Sequence, residues 1–482
     1  MSARGGGAGR ARPATRGGAE ALPAPWEDRE VTSTLPHAHY LLLSSRLIPG
    51  LDGGFTIASL ARAAQMTAAG ADSVQLVTFD PGAAADHEAH RAEFARQGRL
   101  TAPLRNIFDD AGDDRSWLLS AAADGERDAA LEYRELVDGR GVPLLALPNV
   151  PDPSGWHLST APVVVYDAAG AEAGVLAGFG ALYTAWLNRA VAALREAEER
   201  PVVVICESRQ LGEILARDAG DDIRIVHAIH TMHVEAPFAP DAPLNGLWRR
   251  WFGVADRFDA VAWPTAAQRD DVAARFGGDN HFVVPNGVAG PAGAAPDAGA
   301  RAPGRVVMVN RLAPGKRIDH AVRAFLAADV PGSRLEIWGT GPERDRLLAL
   351  IDELGAADRV ALHGLTDDVG RVLEQAALFV TSTAYEGQGL AIVEALAHGC
   401  PVVSYDIRYG PADALAVGGG LLVADGDEDA LGDAIRTVLT EDALRDRLTA
   451  EAPAAAARFA PEAAMTALGA AVRAALAGPA RR

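Results

Sequence analysis

Short apolar segments of strand length, each closed by a turn and followed by a helix-patterned stretch, recur along this chain in two series, at 39–285 and at 306–423. That rhythm narrows the folds open to it. Parallel strands cannot be joined by a hairpin and need a crossover, so alternating strand and helix signals predict parallel sheets clothed by helices. Between the series, 289–304 (AGPAGAAPDAGARAPG) is rich in Pro, Gly and Ala and has no periodicity, the pattern of an interdomain linker. A chain of 482 residues is long enough for two separate cores. The expected class is therefore α/β, with a first Rossmann-like domain at 36–290, a linker at 291–304, a second at 305–450 and Ala-rich helices at 451–482.

In the first series, 39–44 (HYLLLS) runs into Gly50-Leu51-Asp52-Gly53-Gly54 and then the helical pattern Ile57, Leu60, Ala61, Ala64, which is a strand, glycine turn and helix. Further strands are expected at 73–79, 201–206, 223–227, 260–263 and 281–285. From about 83 to 180 the alternation breaks into apolar runs closed by Asp/Gly turns, at 133–139, 143–147 and 163–170, which read as antiparallel hairpins inserted into the first domain. The second series places strands at 306–309, 335–338, 360–362, 378–381, 401–404 and 420–423. Residues 1–35 are Gly, Ala, Arg and Pro rich, without the apolar core of a secretory signal, and read as a disordered tail.

No run approaches the roughly 18 apolar residues of a membrane span, so a soluble protein is expected. A net charge of −19 argues against a general nucleic-acid binder and requires that any anionic ligand meet a local basic pocket. Cys206 and Cys400 lie far apart in apolar segments, as reduced core residues of a cytosolic protein would. Of the 45 Lys and Arg residues only Lys316 is a lysine; its ammonium is a compact point charge where arginine offers a planar fork.

Ligands of open α/β sheets are decided by the loops at the carboxyl ends of strands. After 306–309 come Arg311 and Lys316, two cations on a loop that opens a helix and can clamp a diphosphate. After 378–381 comes Glu386-Gly387-Gln388-Gly389-Leu390, then a helix carrying Glu394. Its glycines let backbone N–H groups approach a phosphate at the positive helix end, while the two carboxylates suit sugar and ribose hydroxyls. Each of these has an ordinary counterpart as a solvated charge or a helix-terminal acid. The stretch His227-Ala228-Ile229-His230-Thr231-Met232-His233 follows an apolar strand and is expected at the interdomain cleft; no further ligands stand at zinc-site spacing.

In order and spacing, Asn286-Gly287-Val288, Arg311 with Lys316, Gly339-Thr340-Gly341, Leu362-His363-Gly364 and Glu386 with Glu394 closely resemble the retaining GT-B glycosyltransferases of family 4, over about 200–445. The stretches 205–209, 264–277 and 404–411 resemble the branch that glucosylates or N-acetylglucosaminylates teichoic acids and serine-rich surface proteins, and that branch also carries a β-rich insert in its first domain. The resemblance implies Arg311 and Lys316 on the donor diphosphate, Glu386 on the transferred sugar and Glu394 on the nucleotide ribose. It implies backbone contacts to phosphate from Gly387, Gly389 and Leu390, a border to base and ribose from Gly339 and His363, and a glycine loop at Gly53 and Gly54 facing the donor from the other domain. A histidine beside the reacting sugar is also implied, His230 before His233.

The expected reaction is transfer of glucose or N-acetylglucosamine from a UDP-sugar, the donor being a substrate and no cofactor being needed, with retention of configuration. No Asp-x-Asp stands in the donor half where a catalytic metal would be expected, so activity in EDTA is expected. The partners implied are the nucleotide-sugar donor and a polymer, protein or lipid-linked acceptor, with self-association through the insert and peripheral membrane contact as further candidates and nucleic acid excluded. Two other readings share the fold: a phospholipid-directed enzyme and a non-catalytic partner subunit. The second should have lost the donor residues, and all four are present.

Overall fold

A computed structural model of the protein describes residues 34–482 apart from 52, 151–152 and 292–300; the expected tail and most of the linker lie outside the described residues. The first domain is built on a seven-stranded parallel sheet of order β11-β10-β9-β8-β1-β2-β3. Its strands are β1 (His39–Ser44), β2 (Val74–Thr78), β3 (Leu104–Asn106), β8 (Val202–Cys206), β9 (Ile223–Ala228), β10 (Ala260–Trp263) and β11 (His281–Val283). The insert is a four-stranded antiparallel sheet of β4 (Tyr133–Val137), β5 (Pro143–Pro148), β6 (Val163–Tyr166) and β7 (Glu172–Leu176). The second domain carries a six-stranded parallel sheet of order β14-β13-β12-β15-β16-β17. Those strands are β12 (Arg305–Val309), β13 (Arg334–Trp338), β14 (Val360–Gly364), β15 (Leu378–Thr381), β16 (Val402–Asp406) and β17 (Gly420–Ala424).

Residue choice follows position. Strands β1 and β8 sit mid-sheet with helices on both faces, and every residue of HYLLLS and VVVIC is buried, so they read as continuous apolar runs without alternation. One face of β1, through Leu41 and Leu43, joins a core with Val204 and Trp186; the other, through Tyr40 and Leu42, joins Leu60, Val203 and Met465. In the insert, Asp138 and Asp167 each accept two backbone N–H groups through Oδ1 and close the β4–β5 and β6–β7 turns, while Arg115 donates to Asp138 and to the Asp167 carbonyl.

The antiparallel strands occupy Tyr133–Leu176, not the whole of 83–180. Residues before them still belong to the first sheet, because β3 pairs in parallel with β2, Leu76 opposite Leu104. A three-residue strand is too short to show a period. The boundary expected at 450 falls inside a helix, Asp442–Ala457, which packs Ala452 and Ala455 on the second domain beside Leu396. The next helix, Pro461–Leu476, crosses back and places Met465, Leu468 and Val472 in the first domain's core.

A candidate donor site between the two domains

Each sheet has one point where the chain departs to opposite sides, between β1 and β8 in the first and between β12 and β15 in the second. Loops diverging at such a point leave a crevice at the strands' carboxyl ends. The two crevices meet: a Cβ on Gly54, after β1, would lie 3.6 Å from Leu390, after β15.

The wall from the second domain is tied together by its own backbone. Gly339 has φ 139°, and a Cβ there would stand 1.8 Å from the Asn310 carbonyl oxygen, so only glycine lets the β13 loop lie on the β12 loop. Thr340 accepts from Leu312 N at 2.8 Å in the same contact. The loops after β12 and β15 are locked likewise: Ala384 N donates to the Gly315 carbonyl at 2.8 Å, and the Arg317 guanidinium donates to the carbonyls of Ser382 and Thr383 at 3.0 and 2.8 Å. This lock brings the Lys316 ammonium onto Glu386 as a part-buried ion pair. Arg311 is exposed on the same loop, with no described side-chain partner.

Gly389 (φ 77°) caps the helix Leu390–Ala397, whose first turn follows the Glu386 loop directly. Glu394 is partly buried one turn in, with no described side-chain hydrogen bond; burial, opposed in part by Arg99, pushes its carboxyl up to about 7. At the ends of β13 and β14 the Trp338 indole stacks on the His363 imidazole, centroids 4.4 Å apart, beside Leu365, which is 74% exposed.

From the first domain, His230 follows β9 and its backbone carbonyl meets Gly387 so closely that a Cβ would be 2.4 Å away. Its Nε2–H donates to Glu207 Oε2 at 2.5 Å, and Phe55 packs edge-on at 5.1 Å. Glu207, at the end of β8, also accepts from Arg62 Nε at 2.8 Å. Burial alone would raise the Glu207 pKa; Arg62 and His230 more than offset it and hold the carboxyl down at about 2. The other two histidines are buried, His227 within the first domain and His233 at the seam under Tyr409 of the second. His227 lies against Phe258 and Trp251 and burial takes it down to about 3; His233 stacks on Tyr409 and burial takes it to about 4.

The structure thus gathers Gly54, Leu390, Lys316, Glu386, Gly387 and His230 at one cleft, and sets Arg311, Gly339, His363 and Glu394 on the adjoining loops and helix of the second domain. Gly53, at φ 48°, caps the helix Gly54–Ala68. Sequence reading gave no role to Arg62, Glu207 or Gln388. The one available signal was Glu207 itself, an acid placed directly after an apolar central strand.

Two parallel α/β sheets meeting at their switch points across a cleft that carries cations, carboxylates and helix N-termini define the GT-B class. Residues 300–455 match the family described as glycosyl transferases group 1. The chain is 40% identical over 159 residues to an exopolysaccharide phosphotransferase of Streptomyces coelicolor, covering 32% of this chain and 17% of that protein. It is 28% identical over 213 residues to the poly(glycerol-phosphate) alpha-glucosyltransferase of Bacillus subtilis, covering 43% of this chain and 32% of the relative. The chain thus spans less than a third of these relatives' length. The pneumococcal O-GlcNAc transferase GtfA, solved with UDP and GlcNAc, superposes with a TM-score of 0.67 at 16% identity over 92% of this chain and all of that one, so the whole GT-B fold is shared. Among the described residues no helix is long and apolar enough to cross a membrane.

Proposed function

We propose that this protein is a retaining, metal-independent glycosyltransferase that moves glucose or N-acetylglucosamine from a UDP-sugar to a hydroxyl of a cell-surface polymer or protein. The observation that carries the reading is the Lys316–Glu386 pair at the switch point of the second sheet, closed from the other domain by His230 on Gly387. The barrier to transfer is departure of a diphosphate from an oxocarbenium-like carbon, so the chief need is charge stabilisation on the leaving group. Arg311 and Lys316 supply it. When Lys316 turns to the phosphates, Glu386 is released to accept hydroxyls of the sugar, so one ion pair gives way to two ligand contacts. Glu394 takes the ribose, the first-turn N–H groups after Gly389 take phosphate, and the Trp338–His363 stack borders the base.

Similarity to a glucosyltransferase of poly(glycerol-phosphate) and to a GlcNAc transferase solved with UDP supports the donor class and the choice of acceptors. We place the reaction in the cytoplasm, in keeping with two free, buried thiols. The edge strand β4, which exposes Arg134, Glu135 and Val137, is the surface assigned to self-association, to be checked by light scattering. The deciding experiment is calorimetric titration with UDP, GDP, UDP-glucose and UDP-GlcNAc, repeated on Lys316→Ala. Uridine-selective binding that disappears in the variant is expected; equal binding by wild type and variant overturns the assignment.

A further inference from the structure

An unbroken run of buried polar side chains passes from the donor loop of the second domain to His230 in the first. Gln388, between Gly387 and Gly389, pairs with the Asn286 backbone in both directions: Asn286 N donates to its Oε1 at 2.7 Å, and its Nε2 donates to the Asn286 carbonyl at 3.0 Å. Asn286 Oδ1 accepts from Arg62 at 2.9 Å, Arg62 donates to Glu207 Oε1 at 2.8 Å, and Glu207 Oε2 accepts from His230 Nε2 at 2.5 Å. Gln388, Asn286, Arg62 and Glu207 are 4, 7, 4 and 3% exposed, so the contacts among them are shielded from water and only the last, to part-buried His230, borders the cleft.

An ion pair this deep costs desolvation and seldom stabilises more than an apolar pair would. Arg62 and Glu207 have a reason to be there only if something depends on them. Glu207 uses one oxygen for Arg62 and the other for the histidine at the cleft. The far end of the chain rests on Gln388, two residues from Glu386, and is made only while the two domains touch. Hydrogen bonds in such a series polarise one another, so a change at one end is felt at the other.

We propose that Glu207 is a positioning residue for His230 and that Gln388 transmits docking of the donor loop to it through Asn286 and Arg62. With Glu207 ionised, the imidazole proton is held on Nε2, and Nδ1, which has no described partner, is the nitrogen offered to a ligand. The histidine is therefore held more firmly when the domains have closed than when they have not, which links water exclusion to assembly of the site. The role of the histidine rests on the reading of the cleft as a glycosyl-donor site; the linkage itself does not.

Low-field proton NMR tests the linkage without any substrate. The Nε2 proton in a short bond to carboxylate should give a downfield imidazole signal, assigned by its loss in His230→Gln. It should vanish in Glu207→Gln and shift or broaden in Gln388→Met, although Gln388 hydrogen-bonds to neither residue. An absent wild-type signal, or one unmoved by Gln388→Met, overturns the transmission. Hydrolysis of UDP-glucose and UDP-GlcNAc tests the positioning role. Glu207→Gln should lower kcat by about tenfold or more with UDP affinity within about twofold of wild type, and the Glu207→Gln/Gln388→Met double variant should be no slower than Glu207→Gln alone. Multiplicative losses, or a kcat that falls only in step with melting temperature, make Glu207 merely structural. Failure of the wild type to bind UDP removes the donor-site reading and leaves the NMR result standing.

Discussion

A single lysine in a chain otherwise supplied with arginine stands where the structure needs a point charge. Lys316 bonds one carboxylate oxygen of Glu386 in a part-buried setting, a contact a compact ammonium makes with a single donor where a planar fork spreads several. Arg311→Ala and Lys316→Ala should each lower turnover roughly ten- to a hundredfold, the equivalent of about 1.5–3 kcal/mol for a lost charge-assisted contact, and Lys316→Arg should not restore it. Steady-state kinetics with a saturating sugar nucleotide checks this, and retention within about threefold removes either residue from the donor site. Glu394 gives a pH dependence of definite sign. Its carboxyl is raised from 4.5 to about 7, so between those values the folded protein holds a proton the unfolded chain has lost, and stability falls as pH rises through that window. Glu394→Gln should therefore melt a few degrees above wild type at pH 8, with the difference gone below about pH 4.5. Ribose hydroxyls need the ionised acceptor, so UDP affinity of the wild type should rise from pH 6 to 8 and that of the variant should not; a flat wild-type profile excludes Glu394 from the ribose site. Arg311, Lys316 and Glu386 were legible as candidates because each stands a few positions beyond an apolar strand. Arg62 and Glu207 were not, being 145 positions apart and meeting only through folding.

At the scale of the element, the segment Glu386–Leu390 is decided by close approach. Gly387 has no unusual φ, yet a Cβ would stand 2.4 Å from the His230 carbonyl oxygen, a backbone atom that cannot rotate away. Gly387→Ala should hold the domains apart at this point and lower kcat/KM by about tenfold or more, since misplacement on the order of 1 Å costs about a hundredfold. Gly112→Ala is the matched control: it lies within the helix Ile107–Asp113 with nothing within 4 Å, and should leave turnover unchanged while holding or slightly raising the melting temperature. Equal effects from the two variants discount the contact. Turn chemistry made β4, β5 and β6 readable, because Asp138 and Asp167 close hairpins by local bonds. The return of β3 to the parallel sheet was not readable, since a three-residue strand is too short to show a pattern.

The whole molecule is two domains, each built on one parallel sheet, whose chain passes between them twice, once in the linker and once near residue 459, and the crossings are side by side: Val288 N donates to the Phe459 carbonyl at 2.8 Å. Paired crossings of this kind are where a hinge between the domains would lie, and contacts across the cleft would set how far it swings. Besides Gln388 on Asn286, the described contacts centre on Tyr409 of the second domain, which is 1% exposed and sits in an apolar socket of Met232, Val234 and Ala242 from the first. Its ring stacks on His233 at 6.1 Å and 8°, its hydroxyl donates to Asp271 at 2.9 Å, and Arg408 pairs with the same carboxylate at 3.1 Å. Removing a large buried aromatic ring costs about 3–5 kcal/mol where a cavity is left. Here the two sides can separate, so the loss should fall on domain closure and leave each core intact. Tyr409→Ala should therefore raise the radius of gyration in X-ray scattering and raise the KM for the sugar nucleotide, while changing the melting temperature little. A lower melting temperature at an unchanged radius would make the socket part of a fixed core, and the hinge would then have to lie elsewhere than between these two sheets.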